Sequence, residues 1–363
     1  MKPRNWLALA AIVVLALAVA ACGSSKKSSS TTASGAPAGK ISGAGSTFAA
    51  PIYQEVGSRL NSQGITVNYQ SIGSGAGVAQ FTAGTVDFGA SDPPMKPEEI
   101  AAAKKKGDPV HVPTAFGAIT VSYNLSGVDK GLKLDGATIA DMFLGMLKKW
   151  NDPAIAKLNS GVQLPGDSIT VVHRSDESGT TKGFTDFLQS YSPEWKSKVG
   201  SDKTVKWPTG TGAKGHEGVA AAVKQQAGAV GYVEEAYALQ NNFTTASVKN
   251  KAGSFIEPTL ASTTAAGTGV TVPADLRFTV INSPEPNAYP IASQTFVIVW
   301  QDACKAGKDK ATAQRLQGFL DYMLKDGQSV LGQLQYAKLP DPILQKAQAK
   351  VDGLQCNGQA LKG

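Results

Sequence analysis

The sequence predicts an α/β fold with mostly parallel sheets, and three observations carry that expectation. Strand-like and helix-like segments alternate from Ile41 onward. The run Thr295-Phe296-Val297-Ile298-Val299-Trp300 is continuously apolar after its threonine, as a strand buried on both faces requires. No internal repeat at solenoid spacing competes with this pattern. The chain has 363 residues and 42% hydrophobic content, which leaves room for two domains and a sizeable core and excludes wholesale disorder.

The first 40 residues stand apart from the fold. Lys2 and Arg4 precede a uniformly apolar stretch from Trp6 to Ala21, short and ending in small residues, which reads as a secretory signal over 1–21. It ends at Val19-Ala20-Ala21-Cys22, similar to a bacterial lipobox in which the cysteine carries the lipid. The other reading is a cleavable signal with an incidental cysteine. Residues 22–40 carry no large apolar side chain before Lys40 and are expected to be a flexible tether. Loss of Lys2 and Arg4 from 35 basic residues leaves 33 against 28 acidic ones, a net charge of +5. That mild excess, without a basic cluster, argues against nucleic acid and suits an anionic surface or small anions.

In the body, strand-like segments fall at Ile65–Tyr69, Ile119–Tyr123 and Ile169–Val172. Helical patterns fall at Ala49–Leu60, Pro97–Lys106, Thr138–Leu144, Phe184–Leu188, Gly218–Gln226 and Ala311–Leu324. Lys104-Lys105-Lys106 reads as a solvated helix C-terminus. Cys304 and Cys356 remain after Cys22; outside the cytoplasm such a pair suggests a disulfide, contributing roughly 3–4 kcal/mol, against the alternative of two free thiols.

Catalytic signatures are missing from the sequence. His111, His173 and His216 are the only histidines, and no two have metal-ligand spacing. Neither G-x-S-x-G nor a phosphate-binding P-loop motif occurs. No catalytic residue, metal or cofactor is therefore expected, and His173 receives no role. Instead, three Gly/Ser/Thr clusters each follow a strand and open a helix: Ser42–Phe48, Ser71–Gly77 and Arg174–Thr181. Free backbone N–H groups at a helix start, flanked by hydroxyls, are a recipe for holding an anion. Asp92, before Pro93-Pro94, breaks this pattern. It reads either as a helix cap or as an acid at a strand exit, where α/β proteins bind ligands.

Gly43-Ala44-Gly45-Ser46-Thr47-Phe48, Thr85–Asp92, Val172–Thr180, Lys206-Trp207-Pro208, Gly231-Tyr232-Val233-Glu234 and Tyr336–Pro340, in this order, resemble the phosphate-binding protein of the bacterial ABC phosphate importer. The resemblance implies a two-lobed fold of the periplasmic-binding-protein (Venus-flytrap) type, with a hinge crossed twice, near 113–120 and near 283–293. Lobe I would comprise 41–116 and 290–363, lobe II 117–289. It implies phosphate ligands at Thr47, Phe48 (backbone), Ser74, Asp92, Arg174, Ser178, Gly179 (backbone) and Thr180, with Asp176 steadying Arg174. Ser74-Gly75-Ala76-Gly77 departs from the family's run after the serine. The expected protein is a monomer, lipid-anchored through Cys22 on the outer face of the membrane, delivering phosphate to the importer's membrane subunits. The alternatives are another tetrahedral oxyanion on the same fold, a surface phosphohydrolase, or an adhesin without a small ligand.

Overall fold

In the computed structural model, which describes residues 35–128 and 131–361, the apolar β-rich runs form one nine-stranded sheet. Cys22, the signal and most of the tether lie outside the described residues. Strand order across the sheet is Ile65–Ser71, Gly39–Gly45, Phe88–Ser91, Ala292–Trp300, Pro109–Tyr123, Ala229–Glu234, Thr170–Arg174 and Thr211–Ala213. Thr244–Thr245 adds beside the end of the long strand. Gly39 and Lys40 already pair with Ile65 and Thr66, so the ordered fold begins inside the segment expected to be tether.

The fifteen-residue strand Pro109–Tyr123 runs through both halves of the molecule. Its first part, Pro109–Ala118, pairs antiparallel with Ala292–Trp300. From Ile119 to Tyr123 it pairs antiparallel with Ala229–Glu234. The partner thus changes between Ala118 and Ile119, where Ile119 N–H donates to the Ile291 carbonyl. On either side of this central strand lies an α/β lobe. Parallel pairing, expected for most of the sheet, is confined to the flanks: Gly39–Gly45 with Ile65–Ser71 and Phe88–Ser91, and Thr170–Arg174 with Ala229–Glu234 and Thr211–Ala213. The centre is antiparallel because the chain crosses between lobes there and returns. Ala292–Trp300 is buried at all nine positions: Phe296–Trp300 as its apolar composition requires, and Ser293, Gln294 and Thr295 with their polar atoms hydrogen-bonded.

Helix signals in the sequence hold with small shifts at the ends: Ala50–Asn61, Pro97–Ala103, Gly136–Phe143, Gly215–Gln225 and Lys310–Leu324. The pattern seen at Phe184–Leu188 is the middle of a longer helix, Gly179–Tyr191. Its amphipathic face buries Phe184, Phe187 and Leu188. Cys304 and Cys356 form a disulfide that ties the segment after Ala292–Trp300 to the C-terminal hairpin. Among the described residues no helix is long and apolar enough to cross a membrane.

Candidate functional site

The three Gly/Ser/Thr clusters meet where the lobes face each other. The first follows the strand Gly39–Gly45. Gly45 has φ +144°, and a Cβ there would sit 2.0 Å from the Ala90 carbonyl oxygen. Glycine lets this strand end press against Phe88–Ser91, so that Ser46 N–H donates to that carbonyl at 2.9 Å. Ser46 is thereby brought beside Asp92. The second cluster opens the helix Ser74–Ala83. Gly75 N–H donates to the Glu177 carbonyl at 3.1 Å, and a Cβ at residue 75 would strike the Glu177 side chain. The glycine after Ser74 is therefore required by the loop of the opposite lobe. The third cluster opens Gly179–Tyr191, with the Ser178 hydroxyl accepting from Thr181 N–H at 3.1 Å as its cap. Gly179 faces the second cluster directly: a Cβ there would lie 2.4 Å from Asp92 Oδ2 and 2.5 Å from Ser74 Oγ.

Asp92 is 1% exposed and does not cap a helix. Ser46 Oγ donates to its Oδ1 at 2.5 Å and Thr295 Oγ1 to the same oxygen at 2.9 Å, while Ser74 Oγ lies 3.4 Å from Oδ2. Burial pushes the carboxyl up to about 6, against these hydroxyls and the Arg174 charge, which pull it down. Near neutral pH it is an acceptor supplied with neutral donors and no contacting cation.

Arg174, at the end of Thr170–Arg174, is the opposite case. Its Nε and Nη2 donate to the two carboxylate oxygens of Asp176 at 2.7 and 2.5 Å, a fork that leaves its side chain 1% exposed. Burial pushes the Asp176 carboxyl up. The Arg174 bonds and charge, with the Gly215 N–H, outweigh that and hold it below the usual carboxylate range.

Thr47, Thr180 and Arg174 converge on one residue to which the sequence assigned no role. His216 is fully buried at the second position of Gly215–Gln225. Its Nδ1 lies 2.7 Å from Thr47 Oγ1 and 3.4 Å from Arg174 Nη1, and its Nε2 lies 3.2 Å from Thr180 Oγ1. The only signal in the sequence was a histidine directly after a glycine-rich helix start. Two hydroxyls on Asp92 were missed as well. Ser46 stood inside the first cluster, and Thr295 was the one hydroxyl at the head of the apolar run Phe296–Trp300.

The other expected positions lie close by. Phe48 is buried, its carbonyl accepts from Tyr336 Oη at 2.5 Å, and its ring centroid lies 6.3 Å from that of His216. The same tyrosine hydroxyl reaches Glu234 at 3.0 Å, which links two of the signature segments. His173 points away from this cluster, stacked on Trp207 at 4.6 Å. Two ion pairs flank the cleft, Lys96 with Asp202 at 2.6 Å and Lys203 with Glu99.

Two α/β lobes on a shared central strand, with three glycine- and hydroxyl-rich loops facing one another between them, define a two-lobed solute-binding protein. A family model described as a PBP superfamily domain matches residues 30–326. The phosphate-binding protein PstS of Pasteurella multocida is 45% identical over 314 residues, covering 85% of this chain and 89% of that protein. PstS of the archaeon Methanocaldococcus jannaschii is 38% identical over 282 residues, covering 73% and 72%. Among solved structures, the periplasmic phosphate-binding protein PfluDING bound with phosphate superposes with a TM-score of 0.69 at 21% identity, over 89% of this chain and 99% of that one. A putative phosphate ABC transporter substrate-binding protein of Clostridium perfringens, with bound phosphate, gives 0.61 at 17%, over 83% and 100%. These two likenesses concern the fold. The chain belongs to the PBP superfamily and, within it, to the family of the PstS phosphate-binding proteins.

Proposed function

We propose that the protein binds inorganic phosphate outside the cytoplasm and delivers it to the membrane subunits of an ABC importer, as a binding protein rather than an enzyme. The observation that carries this reading is a buried carboxylate, Asp92, held by neutral hydroxyls at the place where the helix starts of Ser74–Ala83 and Gly179–Tyr191 meet. Phosphate near neutral pH retains a proton, and sulfate does not. An ionised Asp92 accepts a hydrogen bond from a P–OH group; toward sulfate it offers only repulsion and an unpaired buried charge. Arg174 supplies the positive charge, partly neutralised by Asp176, and hydroxyls and amides meet the rest.

In this reading the ligands are Thr47, Ser74, Asp92, Arg174, Ser178 and Thr180 by side chain, and Phe48 and Gly179 by backbone N–H. The lobes divide as 41–116 with 290–363, and 117–289; the change of strand partner after Ala118 supports that division. Closure of the lobes over phosphate tells the membrane subunits which molecules are loaded. The protein acts as a monomer tethered through a lipid on Cys22, which metabolic labelling with a radioactive fatty acid would test against a Cys22→Ala variant.

Calorimetry of the purified chain tests the ligand. A dissociation constant of about 1 μM or tighter is expected for phosphate. Sulfate should be weaker by roughly 10⁴-fold, the scale of discrimination when a site built for a hydrogen is offered a ligand without one. Equal affinities would refute the reading.

A further inference from the structure

His216 sits within hydrogen-bond distance of three of the proposed ligands, two on its own lobe and one, Thr47, across the cleft. A neutral imidazole has one N–H and one lone pair, so only one of its two threonine neighbours receives a hydrogen from the ring. The guanidinium decides which. Arg174 Nη1 carries only hydrogens and aims at Nδ1. A ring hydrogen on Nδ1 would oppose it, whereas a lone pair there accepts it. The Nδ1 lone pair then also takes the Thr47 hydroxyl hydrogen at 2.7 Å, and Nε2–H donates to Thr180 Oγ1. With its oxygen already accepting from the ring, the Thr180 hydroxyl has its own hydrogen free.

We infer that His216 is a positioning residue of the phosphate cradle: as the neutral Nε2–H imidazole it holds the Arg174 guanidinium and commits the Thr47 hydroxyl hydrogen, so that Thr180 donates to the anion and Thr47 does not. This rests on the phosphate reading of the site. In it the two threonines are unequal. Thr180 serves as a hydroxyl donor, and Thr47 presents a lone pair, which accepts only from an oxyanion carrying a second proton beyond the one Asp92 takes and offers nothing to a bare one.

The surroundings keep the ring neutral. Arg174 faces it from the strand Thr170–Arg174, and Asp176, paired with that arginine, accepts from the backbone N–H of Gly215. Tyr237 stacks on it from Glu235–Gln240 at 4.8 Å, and its hydroxyl lies 3.1 Å from both the Thr47 carbonyl and Glu217, the next residue on the histidine's own helix. Phe48 closes a fourth side. Burial and the Arg174 charge both hold the imidazole well below its ordinary value.

Nitrogen NMR of the full chain labelled at histidine, with and without phosphate between about pH 5.5 and 8, tests this assignment. His216→Asn identifies the signals by their disappearance. The expected result is the neutral Nε2–H form throughout. An imidazolium or an Nδ1–H ring in the phosphate-loaded protein overturns the inference. In parallel, His216→Ala should weaken phosphate by about 10- to 100-fold, the cost of stranding buried partners. His216→Asn, with an acceptor near the Nδ1 position, and His216→Gln, with a donor near Nε2, should each recover part of that loss. Wild-type affinity in His216→Ala overturns the inference. If the alanine variant does not fold, the wild-type spectra decide alone. If the wild type binds no phosphate, the phosphate reading falls, and the inference, which rests on that reading, falls with it.

Discussion

The two walls of the cleft handle charge in opposite ways. On the wall formed by Ser46, Ser74, Asp92 and Thr295, a buried carboxylate receives hydroxyls and no cation, and burial raises it to about 6. On the wall formed by Arg174, Asp176 and His216, a buried cation is forked onto its own carboxylate, which is held low. Had Asp92 and Arg174 been paired with each other, the cleft would have been an inert internal salt bridge. Keeping Arg174 occupied by Asp176 leaves Asp92 short of a partner that a protonated anion supplies. In the proposed reading the contrast assigns separate tasks: one wall reads the ligand's proton, the other supplies charge.

The largest effect should follow from erasing the first wall's charge. Asp92→Asn replaces an acceptor with a group that also donates, so the gap between phosphate and sulfate, expected near 10⁴-fold, should shrink by at least about tenfold. A titration panel of the two anions checks it, and an unchanged ratio would remove Asp92 from its role. Next is the second wall. Arg174→Ala deletes a charge-assisted bond worth roughly 1.5–3 kcal/mol and strands Asp176, so phosphate should weaken by about 100-fold while selectivity persists. Loss of selectivity together with affinity would mean that the two walls do not divide the work.

Acid should imitate the first substitution. Below about pH 6 Asp92 becomes neutral and can donate. The neutral fraction rises from roughly a tenth at pH 7 to nine-tenths at pH 5, so sulfate affinity should gain about tenfold over that range. The same shift bears on stability. A carboxyl raised on folding favours the fold below its ordinary value, and that contribution is lost as pH rises through about 6. Chemical unfolding from pH 4 to 7 should therefore show a decline in the wild type relative to Asp92→Asn.

Much of this was legible in the sequence, for identifiable reasons. The strand signals at Ile65, Ile119, Ile169 and Thr295 held because β-branched runs leave few alternatives, and the cysteine pair read as a disulfide is one. The three loops were visible because the same glycine- and hydroxyl-rich pattern recurs after three strands, where one alone would read as an ordinary helix cap. What sequence could not supply was the pairing of the centre. Pro109–Ala118 carries two prolines, a glycine and small residues and looks like no strand until Ala292–Trp300 lies beside it. His216 was hidden for a similar reason: Thr47, Arg174 and Thr180 are separated from it by 36 to 169 residues, and only folding brings them to one ring.

The smallest effect concerns the ion pairs at the rim, where the two walls are fastened together. Lys203 is 5% exposed at its side chain and meets Glu99, 22% exposed; Lys96 and Asp202 are 36% and 40% exposed. A cation as buried as Lys203 suffers when the carboxylate paired with it is neutralised, whereas an exposed pair is screened and contributes about 0–1 kcal/mol. Glu99→Gln keeps an oxygen for the Lys96 N–H that Glu99 now accepts at 2.8 Å, so it removes the charge without removing the cap. It should weaken phosphate by several-fold, because closing the lobes then buries an unpaired ammonium; Lys96→Ala should change affinity by less than about fivefold. Both losses arise from closure rather than from the cradle, so neither should alter the ratio of phosphate to sulfate. A shift in that ratio would mean that the rim helps to read the proton, and the division between the walls would have to be redrawn to include it.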